Sequence, residues 1–133
     1  MVKPLLTIMH ENELDGCIRT AAFRVHTPLG PELLENVYKV ALAHELRRAG
    51  LLVATEVGVP VVYDGIQLEV GYRLDVLVVG KVIVELKSVN ALAPIHFKQL
   101  QNYLGLTGCK LGLLINFNEL SLREHIHRIV NRL

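Results

Sequence analysis

Hydrophobic positions along this chain recur first at helical spacing and then in alternation, and the change of period divides the sequence into elements. Ile18, Ala21, Ala22 and Val25 share one face of a helix predicted over Glu13 to His26, with Asn12 as its N-cap. Thr27-Pro28-Leu29-Gly30-Pro31 breaks it. Pro31 suits the first turn of a second helix, predicted from Glu32 to Ala49 and stopped by Gly50. On this second helix Leu34, Val37, Tyr38, Ala41 and Leu42 form the apolar face, opposite Glu32, Asn36, Lys39 and Arg47. Glu35 falls at the border, and Glu45 lies nearer the middle of the apolar face.

Period two follows. Val57, Val59, Val61 and Tyr63 alternate, and Asp64-Gly65 signals a hairpin. Ile66, Leu68, Val70, Tyr72, Leu74, Val76 and Val78 line one face of a long return strand, whose other face turns from polar to apolar at Asp75. Val82 to Ser88 is a further strand. Pro94 opens a third helix that ends near Leu106 to Gly108, and Leu111 to Phe117 reads as a central strand. The tail from Ser121 to Leu133 fits either type: Leu122, Ile126, Ile129 and Val130 have helical spacing, while Ile126 and His127 also begin a strand. With no internal repeat, low-complexity tract or linker, the reading is one domain over residues 1–133, of order ααβββαβ and mixed α/β (α+β) class.

Composition narrows the function classes. A chain of 133 residues with 51% hydrophobic content can build its own core. Fourteen Lys+Arg against thirteen Asp+Glu argue against nonspecific coating of nucleic acid, which runs on phosphate neutralisation. With no Trp and 5% aromatic residues, a stacking platform for single strands is not expected. Cys17 and Cys109 stand far apart without metal-ligand spacing and read as small hydrophobes. Met1 to Asn12 matches neither a signal peptide nor an anchor, and no apolar run approaches the roughly 18 residues of a membrane span, so a cytoplasmic protein is expected.

The chemistry concentrates on Val82 to Lys87. Glu85 and Lys87 share one face of that strand, roughly 6–7 Å apart. Charges on an apolar strand are costly unless paired or coordinated, although a lone Glu-x-Lys is more often a solvated edge. Asp75 on the preceding strand changes the balance, and register decides it. A two-residue turn at Gly80-Lys81 puts Asp75 on the face of Leu86, away from Glu85. A three-residue turn or a bulge puts it opposite Glu85 or Lys87. On the third helix His96, Gln99 and Tyr103 form a polar-tipped stripe that would, alone, be an ordinary hydrogen-bonded flank.

Taken in order, Val25-His26, Leu29-Gly30-Pro31, Leu33 to Tyr38, Val59-Pro60-Val61 with Tyr63, Tyr72 to Asp75, Val82 to Lys87, Gln99 to Leu104 and Gly112 to Phe117 resemble the GxxExxY protein family. One departure stands out: the glycine of that motif falls at Glu32, in what the pattern makes a first helical turn, where an acid is favoured. The family sits in the PD-(D/E)XK nuclease-like superfamily, so the resemblance implies a restriction-endonuclease-like core, a central mixed sheet flanked by helices. It further implies Asp75, Glu85, Lys87, Glu35 and Gln99 as catalytic residues. Asp75, Glu85 and the Leu86 carbonyl would hold Mg²⁺ or Mn²⁺, with Glu35 reaching the ion through water and Tyr38, His26 and Tyr103 in support.

Two functions follow, with a third possibility behind them. One is a metal-dependent nuclease acting on DNA; with no recognition module in so short a chain, it would need a second copy or a protein partner to grip a duplex. The other is a catalytically inactive nuclease-fold binding or scaffold module. Third, the charges could form a buried ion network with no ligand at all.

Overall fold

The computed structural model describes residues 9–133, apart from the side chain of Val70. Most of the Met1–Asn12 stretch, and the place of Val70 on its strand face, lie outside the described residues. Among those residues, helices α1 (Glu11–Leu29) and α2 (Glu35–Arg48) lead the chain. Strands β1 (Val53–Tyr63), β2 (Ile66–Val78) and β3 (Val82–Lys87) follow, then α3 (Pro94–Thr107), β4 (Leu111–Asn116) and β5 (Ile126–Val130). The five strands form one sheet in sequence order, antiparallel except where β3 and β4 run side by side through the α3 crossover.

Two apolar layers cover the sheet. Ile18, Ala22 and Val25 of α1 and Tyr38, Leu42 and Leu46 of α2 pack on Val76, Val84, Leu86, Leu113 and Ile115. Leu100, Tyr103 and Leu104 of α3 pack on the other face against Val59, Leu74, Ile83 and Leu114. Because both faces are covered, β3 and β4 are buried almost throughout, as crossover strands should be. Gly112 is dictated by this packing, since a Cβ there would sit 2.8 Å from Leu100 Cδ1.

Several boundaries differ from the sequence reading, each for a local reason. His10, not Asn12, caps α1: its Nδ1 accepts the Asn12 N–H at 2.9 Å, while its own N–H donates to Glu13 Oε1 at 3.1 Å. The helix then runs past Thr27 and through Pro28, because proline in a last turn removes only one backbone bond. α2 starts at Glu35 and not Glu32, so Pro31 belongs to a loop. Gly30 and Glu32 there have φ of 65° and 72°, which no helical turn accommodates. The buried stripe of α2 runs through Tyr38, Leu42 and Leu46, leaving Leu34 and Val37 exposed and turning Lys39 toward the sheet. Glu45 sits near Arg48 at 3.9 Å. The tail is a strand, because β4 would otherwise offer an unpaired edge. The element order among the described residues is therefore ααβββαββ. Finally, β2 does not keep one face: Val76 and Val78 lie in the first core cluster and Leu74 in the second, so the alternation changes over at Asp75.

Glu32 thus occupies a left-handed position where the resembling family carries glycine, not a favourable helical one. Its N–H is held by Asn118 Oδ1 at 2.8 Å. Replacing Glu32 by glycine relieves that backbone strain at a smaller cost in unfolded-chain entropy, and should stabilise the protein by up to about 1 kcal/mol. Thermal melting measures this; a lower melting temperature for Glu32→Gly contradicts it.

Candidate functional site

The β2–β3 connection decides whether a site exists. Val78 pairs with Val82, leaving the three-residue loop Val79-Gly80-Lys81, with Leu77 opposite Ile83 and Val76 opposite Val84. Continued by one step, that register sets Asp75 across from Glu85. Here the backbone ladder stops and side chains replace it. The Asp75 N–H donates to Glu85 Oε2 at 2.8 Å, and the Leu86 N–H donates to Asp75 Oδ2 at 2.9 Å. Each carboxylate is thereby fixed on the other's strand by one oxygen.

The second oxygen of each has no protein partner, yet none of the described buried side-chain polar atoms is unsatisfied, so those oxygens open toward solvent. The Leu86 carbonyl joins them. In a strand the N–H and C=O of one residue point to the same side, and the Leu86 N–H points at Asp75. The Lys87 carbonyl accordingly points the other way, accepting the Phe117 N–H at 2.8 Å.

Charge crowds this fork. Glu85 is 4% exposed, and burial, reinforced by the charge of Asp75, pushes its carboxyl up to about 8. Burial also raises Asp75, against the pull of the Leu86 N–H and of Lys39 and Lys87. Glu35, the first residue of α2, is raised by burial and then by Asp75, with Lys87 and Lys39 opposing. Four residues expected from the sequence (Glu35, Asp75, Glu85 and Lys87) are therefore within electrostatic reach of one another.

The remaining expected residues hold different positions. Gln99 meets no carboxylate; its Nε2 donates to the Tyr103 hydroxyl at 3.2 Å. Tyr103 reaches the fork, its hydroxyl raised by burial and by the nearby Glu85 charge. His96 uses Nδ1 to accept the Ala93 N–H at 2.9 Å and caps its own helix. Tyr38 works on the loop before Glu35, whereas His26 ties α1 to the segment after β4. The Tyr38 hydroxyl donates to the Gly30 carbonyl at 2.5 Å and accepts the Leu33 N–H at 3.1 Å, while its ring stacks on Phe117 at 4.7 Å. His26 Nε2 meets the Glu119 carbonyl at 2.7 Å. Ser88 adds a bond to the Leu33 carbonyl at 2.6 Å. The Tyr38 and Ser88 bonds fix where α2 begins and so where Glu35 stands.

Two residues at the site escaped the sequence reading. Thr55 pairs with Val76 and Val57 with Leu74, which sets Glu56 across from Asp75, at a φ of 53°. Glu56, Asp75 and Glu85 thus form a row over three strands. Lys39 reaches in from α2, its side chain 11% exposed, and pairs with Glu56. Burial lowers the Lys39 ammonium, but Glu56, Asp75 and Glu35 together raise it above the ordinary value. Pro60 was the overlooked signal. Val59 faces Tyr72 and Val61 faces Leu68, so β2 carries two extra residues opposite Pro60. An unbroken hairpin from Asp64-Gly65 would instead have set Glu56 against Arg73.

Four carboxylates against two ammonium groups leave the fork short of positive charge. Among the described residues no group of three or more His, Cys, Asp or Glu side chains is gathered closely enough to cage a metal. An ion here would be held by the outward oxygens of Asp75 and Glu85, the Leu86 carbonyl and water. That hard, partly hydrated donor set fits Mg²⁺ or Mn²⁺.

A family model described as the PD-(D/E)XK nuclease superfamily matches residues 12–129. The fold is similar to that in the crystal structure of SSO0001, with a TM-score of 0.52 and 22% identity. That match covers 88% of this chain and 63% of the other, so the chain spans less than two thirds of that protein's length. No curated protein matches the sequence. No helix among the described residues is long and apolar enough to cross a membrane.

Proposed function

Because the chain belongs to the PD-(D/E)XK nuclease superfamily, we propose that it is a divalent-metal-dependent phosphodiesterase that hydrolyses DNA. The mixed sheet flanked by helices is that of a restriction-endonuclease-like fold. Within the superfamily we group the chain with the GxxExxY proteins, on Glu35 and Tyr38 and the ordered motifs after them. We take residues 1–133 as one domain acting on nucleic acid with a second copy or a protein partner.

The observation that carries the reading is the paired fork: Asp75 and Glu85 each anchored by one oxygen and opening the other outward. Asp75, Glu85 and the Leu86 carbonyl would hold the cation, with Glu35 one water molecule away. When bound, the cation supplies Lewis acidity toward a phosphate oxygen and water. The chain's own groups do the positioning. Lys87, on the face of Glu85, holds its ammonium where it can orient the attacking water or meet charge on the phosphate. Of the two lysines at the fork, Lys39 is held on Glu56, and Lys87 has no carboxylate clamp among the described ion pairs. Gln99 steadies the Tyr103 hydroxyl beside Glu85 and acts through it.

Lys87→Ala should lower cleavage of a DNA substrate in Mg²⁺ or Mn²⁺ on the order of 10²–10³-fold, since one charge stabiliser is lost. Mn²⁺ binding by calorimetry should persist, because the oxygen donors remain. Unchanged cleavage in the variant, or none by the wild type with any divalent metal, overturns the assignment. One observation favours the scaffold reading: Lys39 already neutralises Glu56 beside the fork, as a site needing no cation would arrange. A wild type that binds no Mn²⁺ supports that alternative.

A further inference from the structure

Alongside the fork, between α3 and the outer half of the β1–β2 hairpin, runs a groove of about 690 Å³. Its lining includes Val61, Tyr72, Gln99, Asn102, Tyr103 and Leu106. None of the residues that line it carries a Lys, Arg, Asp or Glu side chain, so it is unsuited to a phosphate backbone. What it offers is an aromatic corner and side-chain amides. The Tyr72 and Tyr103 rings stand edge to face, 6.1 Å apart, and Tyr72 remains 47% exposed. Gln99 and Asn102 each present a donor and an acceptor on one planar group. An apolar wall, an exposed ring and paired donor–acceptor groups are the complement of a neutral, flat heterocycle with a hydrogen-bonding edge. The groove adjoins the fork through Tyr103, which packs in one cluster with Leu74, the neighbour of Asp75, and Ile83, two residues before Glu85. A strand with one phosphate at Asp75 and Glu85 would carry a neighbouring base at this corner, but only if that base is unstacked from a helix.

We propose that the groove binds an unpaired nucleobase next to the phosphate at the fork, making single-stranded nucleic acid, or an unpaired segment of a branched one, the substrate class. This rests on the nuclease reading above. It gives an occupant to a groove that the catalytic residues do not require, and it sets two of the chain's seven aromatic residues where composition alone gave no reason to expect a stacking site.

The test is fluorescence anisotropy with a labelled single-stranded oligonucleotide, a blunt duplex of the same sequence and a strand carrying one abasic position, in Ca²⁺ to separate binding from cleavage. The wild type should prefer the single strand, and Tyr72→Ala should weaken that binding by roughly tenfold while leaving the duplex unchanged. Tyr72→Phe should retain it. An abasic position moved along the strand should reproduce the Tyr72→Ala loss at one place only, with no further loss in the variant. Equal affinity for single strand and duplex, an unaffected Tyr72→Ala protein with wild-type melting temperature, or a mononucleotide that competes as well as the strand each overturns the proposal. Tyr72-dependent binding without cleavage in any metal keeps the groove and removes the hydrolase. Cleavage of a duplex at a rate indifferent to Tyr72 does the reverse.

Discussion

Asp75→Asn should remove metal-dependent cleavage, by on the order of 10³-fold, while making the metal-free protein harder to melt. The two effects have one origin. Asp75 is a half-buried carboxylate opposite the buried Glu85, and both are raised by desolvation before any other influence acts. Asparagine keeps an oxygen to accept the Leu86 N–H, so the bond that closes the fork survives. What is lost is an anionic ligand and a like charge. Removing the repulsion should raise the stability of the metal-free protein by about 1 kcal/mol, or a few degrees in melting temperature for a domain of this size. Cleavage assays beside thermal melts in EDTA read the pair. Lost cleavage with a sharply lower melting temperature would make Asp75 a structural residue, and undiminished cleavage would place the chemistry elsewhere.

The second large effect is on pH. Glu85 has an ordinary value of 4.5, raised in the folded chain to about 8. Between those values the folded chain holds a proton that the unfolded chain has already released. Folding is therefore favoured below that window, and stability drains away as pH climbs through it, at up to about 1.4 kcal/mol per pH unit from this group. Asp75 and Glu35 are raised too and slope the same way. Metal-free wild type should thus melt progressively lower from pH 5 toward pH 8, within that window. Glu85→Gln, which still accepts the Asp75 N–H, should flatten the slope and gain several degrees at the alkaline end. Mn²⁺ should restore most stability at the alkaline end, because the ion displaces the proton there. A wild-type profile parallel to that of Glu85→Gln would mean that Glu85 titrates normally and that the fork is open to water.

Much of this was legible from residue order. The Glu85–Lys87 face, the Asp64-Gly65 hairpin and the α3 boundaries follow from period, turn chemistry and capping, all of which act over a few residues. Register was harder. The sequence allowed Gly80-Lys81 to turn in two residues or three, and the choice rests on Val79 and Gly80 both adopting positive φ, of 54° and 65°. A valine is not a residue one expects there. Hydropathy counts Lys39 as polar and places it on the solvent side of its helix, whereas its side chain is largely buried and its ammonium meets Glu56. Glu56 was missed because its neighbours across the sheet depend on the irregularity opposite Pro60, which no alternation pattern reveals. Glu32 differs for a related reason: an acid near a helix start resembles a favourable first-turn residue, but the backbone there has not yet entered the helix.

The loop Val79-Gly80-Lys81 has no side chain at the fork, yet its length acts as a parity bit for the whole site. If the same residues turned in two, pairing Val79 with Val82, the hairpin could still pair while Asp75 faced away from Glu85. Drift in that loop can therefore silence a chain of this kind while every acid and lysine stays in place. Among relatives, the number of residues between the two acids is worth reading before their identity.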